Sequence, residues 1–481
     1  MRPQREQMLS QLDGAELDAL VVGGGINGAV SAAGLSAQGL QVGIVDRADF
    51  ASCTSQASSN LVWGGIKYLE NREFSLVRQL CRSRNALLRH YPEAVREIRF
   101  VTAPTEAADH LLATLYAGTW LYWIMGSRVT QRPNHFDREE FAAHEPRFAT
   151  ASNSGGIEYS DAYLPDNDAR FVFNFIRQAM CDGALAANYL GATDAVHDGK
   201  QWRVQLQAED GAKLSLRARV LINACGPFAD AFNSTCELRT KTHHVFSKGV
   251  HLIVPRITPE DRVLAFFADD GRPFFVIPMG HRSCIGTTDT RVPTPDVSVS
   301  DADRDFILSN INANLALSAP LTRADIISER VGVRPLAVTG APDSGDWFDL
   351  SRHHRIEIDE NRNHLSIFGG KLTDCLNIGD EIIEHVRDLL PNCGVRNSWY
   401  GGTTPPPDCD LRLWRRYGPD ALAISRDPEL QQRVHPDHPV THAELQHIIA
   451  HELPVYRDDI LRRRTMLGLL FRPEELANIS L

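Results

Sequence analysis

The chain has 481 residues, 43% of them hydrophobic and 23% charged, which is the balance of a globular protein too long for one simple core; two or three domains are expected. A net charge of −11 argues against general nucleic-acid binding while leaving room for local basic pockets. Nine scattered cysteines, an odd number with no C-x-x-C pair, argue against a disulfide framework or a metal site and point to a reducing, cytoplasmic setting.

The first 17 residues are polar and lack the apolar centre of a secretory signal. No run of about 18 apolar residues occurs, so no spanning helix is expected. From Asp18 to Asp46 the chain reads as a buried strand, a glycine turn, a small-residue helix and a second buried strand. Gly23, Gly25 and Gly28 have the dinucleotide spacing: the first permits the tight turn, the second a close pyrophosphate, the third close helix–strand packing. Gly39 suits the position just past the helix. Asp46 ends the second strand, where a carboxylate can hold a ribose diol. This fingerprint alone does not separate FAD from NAD.

Ser52 to Ser59 is rich in hydroxyl residues; it reads as a plain loop or, from its place after the nucleotide unit, as one whose hydroxyls and backbone are expected to face a cofactor. Residues 71–98 read as a charged helical stretch ending near Pro92. Leu111 to Val129 carries Leu115, Tyr116, Trp120, Tyr122, Trp123 and Ile124, with Arg128 and Arg132 at its end. It reads as an interfacial helix with aromatic anchors, or as a helix buried in a core or a homodimer interface. A second α/β segment spans 155–240, with a helix from Ala169 to Gly183, hairpin strands at Trp202–Leu206 and Leu214–Leu216, and a strand from Val220 running into the Gly226 turn. Residues 241–300 are β-rich and suggest an antiparallel sheet. Residues 301–318 read as a helix, and Glu329 to Leu336 as a strand and turn. Leu365 to Thr373 repeats the opening logic, strand then glycine turn, with a helix to about Leu390. Thr403 to Pro407 is a linker. The tail beyond Leu411 is helical, and its Arg462-Arg463-Arg464 run reads as a solvated or ion-paired face, or as an anionic-lipid contact.

These blocks together resemble the FAD-dependent glycerol-3-phosphate dehydrogenase family. The resemblance rests on Val22–Gly28, Thr54–Leu69, Asn223–Pro227, Lys248–His251, Ile285–Asp289, Gly332–Leu336, Gly369–Thr373 and Arg462–Gly468, in order and nearly end to end. It implies an α/β fold: a Rossmann-like FAD-binding domain interleaved with an antiparallel-sheet substrate domain, plus an α-helical C-terminal domain. The expected boundaries are 1–400 for the oxidoreductase region and 401–481 for the helical domain. Within the first, FAD-binding segments are placed at about 17–70, 150–240 and 325–395, and substrate segments at about 71–149 and 241–324.

The resemblance further implies non-covalent FAD, a phosphorylated polyol such as sn-glycerol 3-phosphate as substrate, and hydride transfer to flavin N5. Electrons then pass to a quinone, on the inner face of the cytoplasmic membrane, or to oxygen in some relatives. The cofactor candidates are Gly23, Gly25, Ile26, Asn27, Gly28, Asp46, Thr54, Ser55, Ser59, Gly64, Gly65, Gly226, Gly370, Leu372 and Thr373. The catalytic candidates are His251 as base, with Arg334 and Lys371 for substrate charge or developing negative charge. Lys67, Tyr68 and Arg352 are the substrate candidates. Asp168, Cys225 and Cys375 are not expected to act in the site.

Two departures bear on the substrate. Trp63 and Lys67 stand where the family usually has His and Arg, so a bidentate fork becomes a point charge. Asp374 follows Thr373 where the family usually has Thr, and an acid there would repel phosphate unless paired. Oxidation of another hydroxy acid or an amine, or a flavin-binding scaffold with lost catalysis, are the alternatives these departures raise.

Overall fold

The computed structural model describes residues 3–103, 109–148, 155–268, 272–340, 353–391, 398–401 and 404–479. Two sheets organise the described residues. The first has eight strands, ordered Arg355–Asp359, His364–Phe368, Lys213–Asn223, Glu16–Val22, Val42–Val45 and Leu185–Ala187, with Leu190–His197 and Trp202–Ala208 attached through an antiparallel meander. Its four central pairings are parallel, Glu16–Val22 lying between Lys213–Asn223 and Val42–Val45. At 19–22, 42–45, 220–223 and 364–368 these strands are buried on both faces, which is why those stretches read as continuous apolar runs. The expected separate strands at 214–216 and from 220 are one strand, because Lys213–Asn223 pairs first with Trp202–Ala208 and then continues into the parallel core.

Helix Ile26–Ala37 crosses from the opening strand to Val42–Val45 and packs against helices Asp168–Cys181 and Cys375–Leu389. Its small residues make this close approach possible: a Cβ at Gly34 would lie 2.9 Å from Ile383.

The second sheet has ten strands and is mostly antiparallel, as expected for 241–300. Its longest pairing joins Thr242–Pro255 to Ser328–Thr339 along twelve residue pairs, from Thr242↔Thr339 to Ile253↔Ser328. It also takes Leu61–Val62, Arg96–Thr102 and Gly156–Tyr163. Strands from 61–62, 156–163 and 328–339 thus join this sheet although the sequence reading groups those segments with the nucleotide unit. Arg96–Thr102 follows the helix Phe74–His90, which does end near Pro92.

The tail is mainly helical, with Leu411–Tyr417, His442–His451 and a π-helical turn at Asp459–Arg464, plus one small hairpin of Arg433–His435 and His438–Thr441. Helix Asp109–Met125 is divided between core and solvent: Tyr122 is buried and Leu121 and Ile124 are exposed. Among the described residues no helix is long and apolar enough to cross a membrane.

Candidate functional site

A cavity of about 440 Å³ opens at the carboxyl ends of the parallel strands, where ligands bind in open α/β sheets. Gly23, Gly25, Ile26, Asn27, Asp46 and Gly226 all line it. Gly23 has φ +105°, and a Cβ there would lie 2.4 Å from the Ala224 carbonyl oxygen; one at Gly28 would lie 1.8 Å from the Gly23 oxygen. Gly28 does not line the cavity, and its lack of a side chain is what lets the helix seat on the turn. The N-cap of helix Ile26–Ala37 is Gly25, which has no side chain to cap it; the helix N-terminus lies at the cavity, and its first N–H, that of Ile26, donates to Ser55 Oγ at 3.0 Å. Asp46 accepts the Gly24 N–H at 2.6 Å and the Ala48 N–H at 2.9 Å. Burial raises its pKa to about 6, against the opposing pull of those two bonds. Asn27 donates to the Gly369 carbonyl at 3.0 Å, while its buried Oδ1 has no partner among the described residues. Cys225 lines the same cavity, and burial pushes its thiol up, away from a reactive thiolate.

A second cavity of about 360 Å³ adjoins the first, sharing Ile26, Thr54, Ser55, Pro335, Gly369 and Gly370 with it. His251, Arg334, Lys371, Lys67 and Tyr68 converge on it, together with Ser59, Leu372 and Thr373. His251 sits on Thr242–Pro255, opposite Arg330 on one neighbouring strand and Gly286 on the other. It is buried, and neither ring nitrogen has a hydrogen-bond partner among the described residues. Burial, then the charges of Arg330 and Arg334, hold its pKa well below the usual 6.5, so the imidazole is neutral. Arg334 lies across Gly249, where a Cβ would come within 2.5 Å of the guanidinium. It donates to Thr287 Oγ1 at 3.0 Å and to the Thr288 carbonyl at 3.2 Å, with Asp289 at 3.7 Å. Lys371 donates to the Tyr68 hydroxyl at 2.6 Å and sits 4.3 Å above that ring.

Trp63 forms an aromatic wall with Tyr68 and Phe275, ring centroids 6.0 and 6.2 Å away. Gly64 and Gly65 line neither cavity. Gly64 abuts the Tyr122 hydroxyl, and Gly65, at φ +80°, abuts the Tyr68 ring. Arg352 lies outside the described residues.

Asp374 is not a free acid beside the site. It is buried and bonded to His354 Nδ1 at 2.9 Å, Ser83 Oγ at 2.9 Å and Asn377 Nδ2 at 2.7 Å. Burial opposes protonation of His354, but its bonds to Asp374 and Glu381 prevail and raise it to about 9, giving Asp374 a cationic partner. In the arginine run Arg463 and Arg464 are likewise buried rather than lipid-facing, and Arg462 is half-buried. Arg463 and Arg464 both bond Asp49 through nitrogens at 2.6 and 2.8 Å. The tail folds this run onto the first sheet's loops, where unpaired carboxylates would otherwise be stranded.

Sequence reasoning missed the support under the Ser/Thr loop. Asp168 accepts Ser58 N–H at 2.9 Å and Ser58 Oγ at 2.7 Å, and pairs with Arg330 at 2.5 Å, both charges fully buried. Arg330 also donates to the Gln56 carbonyl at 2.7 Å and to Asn60 Oδ1 at 2.9 Å. It missed Gly249 too, although glycine inside a strand two residues before His251 is a signal of close approach.

The two cavities fit FAD. One holds a helix N-terminus with a glycine N-cap, a strand-end acid and an Asn27 oxygen with no partner among the described residues; the other places reactive side chains beside the shared wall.

Residues 18–371 match the family described as FAD dependent oxidoreductase, and residues 400–479 match the C-terminal domain of alpha-glycerophosphate oxidase. A glycerol-3-phosphate dehydrogenase from Pseudomonas tolaasii is 31% identical, over 96% of this chain and 94% of that protein. The aerobic glycerol-3-phosphate dehydrogenase of Escherichia coli K12 is 29% identical, over 96% of each. Among solved structures, the glycerol-3-phosphate dehydrogenase of Bacillus halodurans complexed with FAD superimposes with a TM-score of 0.76 at 23% identity, covering 98% of this chain and 90% of that one.

Proposed function

The chain belongs to the FAD-dependent glycerol-3-phosphate dehydrogenase family, and from that premise we propose that it oxidises sn-glycerol 3-phosphate or a closely related phosphorylated polyol and passes the electrons to a quinone. The observation that carries this reading is the second cavity, where neutral, unpartnered His251 faces the same space as Lys67, Arg334 and Lys371. FAD, when bound, supplies the two-electron acceptor that takes the carbinol hydride at N5. Asp46 and the Gly23–Gly28 turn would hold its nucleotide half. Thr54, Ser55, Ser59, Gly370, Leu372 and Thr373 would hold the reacting half.

His251 takes the carbinol hydroxyl proton at a ring nitrogen. It can do so because it is neutral before substrate arrives, and an incoming phosphate offsets the arginine charges that depress its basicity. Lys67 binds the phosphate as a point charge, and Tyr68 orients the substrate while holding Lys371 in place. Arg334, steadied by Thr287 and Thr288, offsets negative charge accumulating in the site. The paired state of Asp374 removes the repulsion that would count against a phosphate.

For the acceptor, the exposed Leu121 and Ile124 on Asp109–Met125, with Arg128 5.7 Å over the Trp123 ring, support a peripheral contact with the cytoplasmic membrane. Anaerobic mixing with sn-glycerol 3-phosphate is expected to bleach the flavin absorbance. Bleaching by glycerol, hydroxy acids or amines, with none by any phosphorylated polyol, overturns the substrate reading. Flotation on anionic liposomes at low salt tests the membrane contact, and protein left wholly in the soluble fraction counts against it.

A further inference from the structure

The loop Asp46–Cys53 connects the second parallel strand to the Ser/Thr-rich turn, and Asp46, Arg47, Ala51, Ser52 and Cys53 line the nucleotide cavity. This loop also props the glycine turn. The Ala51 N–H donates to the Gly24 carbonyl at 3.0 Å, and the Phe50 ring fills the space where a Gly24 Cβ would lie, 2.2 Å from Phe50 Cδ1. Asp49, at the middle of the loop, faces away from the cavity lining and is fully buried. Its Oδ1 accepts Arg464 NH2 at 2.8 Å and Asn188 Nδ2 at 2.7 Å; its Oδ2 accepts Arg463 Nε at 2.6 Å and Arg464 NH1 at 2.8 Å.

Both arginines come from Asp459–Arg464 in the tail. Arg463 also bonds Asp459 and reaches Gln56 Oε1 at 3.3 Å, at the end of the Thr54–Gln56 turn that walls both cavities. Arg464 stacks 3.9 Å over the Phe173 ring, which in turn contacts Phe50. The charges are matched locally, and every oxygen of Asp49 is engaged. A bidentate guanidinium–carboxylate pair of this kind fixes orientation as well as position.

We propose that Arg463 and Arg464 of the C-terminal domain are positioning residues for the FAD site, clamping Asp49 so that the Asp46–Cys53 loop and the glycine turn are held in the conformation that retains the dinucleotide. The proposal rests on the assignment of this cavity to FAD. The C-terminal domain then completes the cofactor site without touching the cofactor. Loosening the clamp raises the rate at which FAD leaves and leaves the substrate cavity's chemistry unaltered.

The test measures FAD affinity and dissociation rate by flavin fluorescence on the full-length protein, with the urea midpoint of each apoprotein determined alongside. Asp49→Asn and Arg464→Gln are expected to weaken FAD on the order of tenfold to a hundredfold, mostly through faster dissociation. kcat at full flavin occupancy is expected to stay at the wild-type value. Arg463→Lys keeps a cation beside Asp49 and decides the matter if the other variants do not fold; a severalfold faster dissociation is expected of it. Folded variants that release FAD at the wild-type rate overturn the proposal. So does a fall in kcat at full occupancy, because the effect would then lie in the substrate cavity. Asp46→Ala separates the two levels: unchanged FAD affinity there removes the cavity assignment, whereas weakened affinity with a normal Asp49→Asn removes the clamp alone.

Discussion

Replacing Asp168 with Asn tests the support beneath the Ser/Thr loop. The carboxylate and the Arg330 guanidinium are both fully inaccessible and 2.5 Å apart. Removing one partner of such a pair leaves an uncompensated buried charge, at a cost of about 3–5 kcal/mol. The asparagine keeps one acceptor oxygen for Ser58, and Arg330 keeps the Gln56 carbonyl and Asn60 Oδ1, so the lower part of that range is expected. Against a domain stability of about 5–15 kcal/mol, the fold survives with a much reduced margin. Urea unfolding of the FAD-free protein, followed by tryptophan fluorescence, is expected to show a loss of about 3 kcal/mol with an unchanged slope. Arg330→Met should cost a similar amount, and the double variant clearly less than the two together, with a coupling of about 2 kcal/mol. Additive losses, or a single-variant loss below about 1 kcal/mol, would show that water or a rearranged partner already neutralises Arg330 and would refute the argument.

Gly28→Ala places a methyl 1.8 Å from the Gly23 oxygen, and the purified protein is expected to lack flavin absorbance, while Gly118→Ala, with nothing within 4 Å of the added Cβ, retains it. For Arg334→Leu, loss of a positive charge that depresses His251 should move the acidic limb of the kcat/KM pH profile upward, while a limb unchanged in position argues against His251 as the base. A ribose diol donating to Asp46 favours its ionised form, so FAD affinity should fall as pH drops through about 6; in Asp46→Asn, measured by fluorescence titration, that step should be absent. His354, raised to about 9 against its usual 6.5, contributes stability that is fully present below pH 6.5 and lost as pH rises through 9; Asp374→Asn should flatten the urea midpoint across that window.

The opening unit was legible because its signals are local. Apolar strand runs, glycine spacing and a small-residue helix all fall within about thirty residues, where sequence order and spatial order coincide. His251, Arg334 and Lys371 could be gathered into one site only by resemblance, since the first two meet through paired strands and Lys371 joins them from the turn after His364–Phe368, all from far apart in the chain. The membership of the second sheet was not legible for the same reason: Gly156–Tyr163 pairs with Arg96–Thr102 and Leu61–Val62, and no local pattern announces those partners. Charges were the least readable feature. Asp374 reads as a threat to phosphate binding until His354 is beside it, and Arg462–Arg464 reads as a surface run until Asp49 is found beneath it. Gly64 and Gly65 show the converse, a motif whose glycines serve packing against Tyr122 and Tyr68 while its Lys67 and Tyr68 face the cavity.

The pairing of Asp49 with Arg464 spans 415 residues, almost the whole length of the chain. At a synthesis rate of about 5–20 residues per second, the loop waits on the order of 20–80 s on the ribosome before its counter-ion is made. Throughout that interval a carboxylate destined for complete burial has no arginine to receive it, and the loop is held only by contacts such as Ala51 on Gly24 and Asn188 on Asp49. On the proposed clamp, a nascent chain stalled before Arg463 would carry Asp49 without its counter-ions.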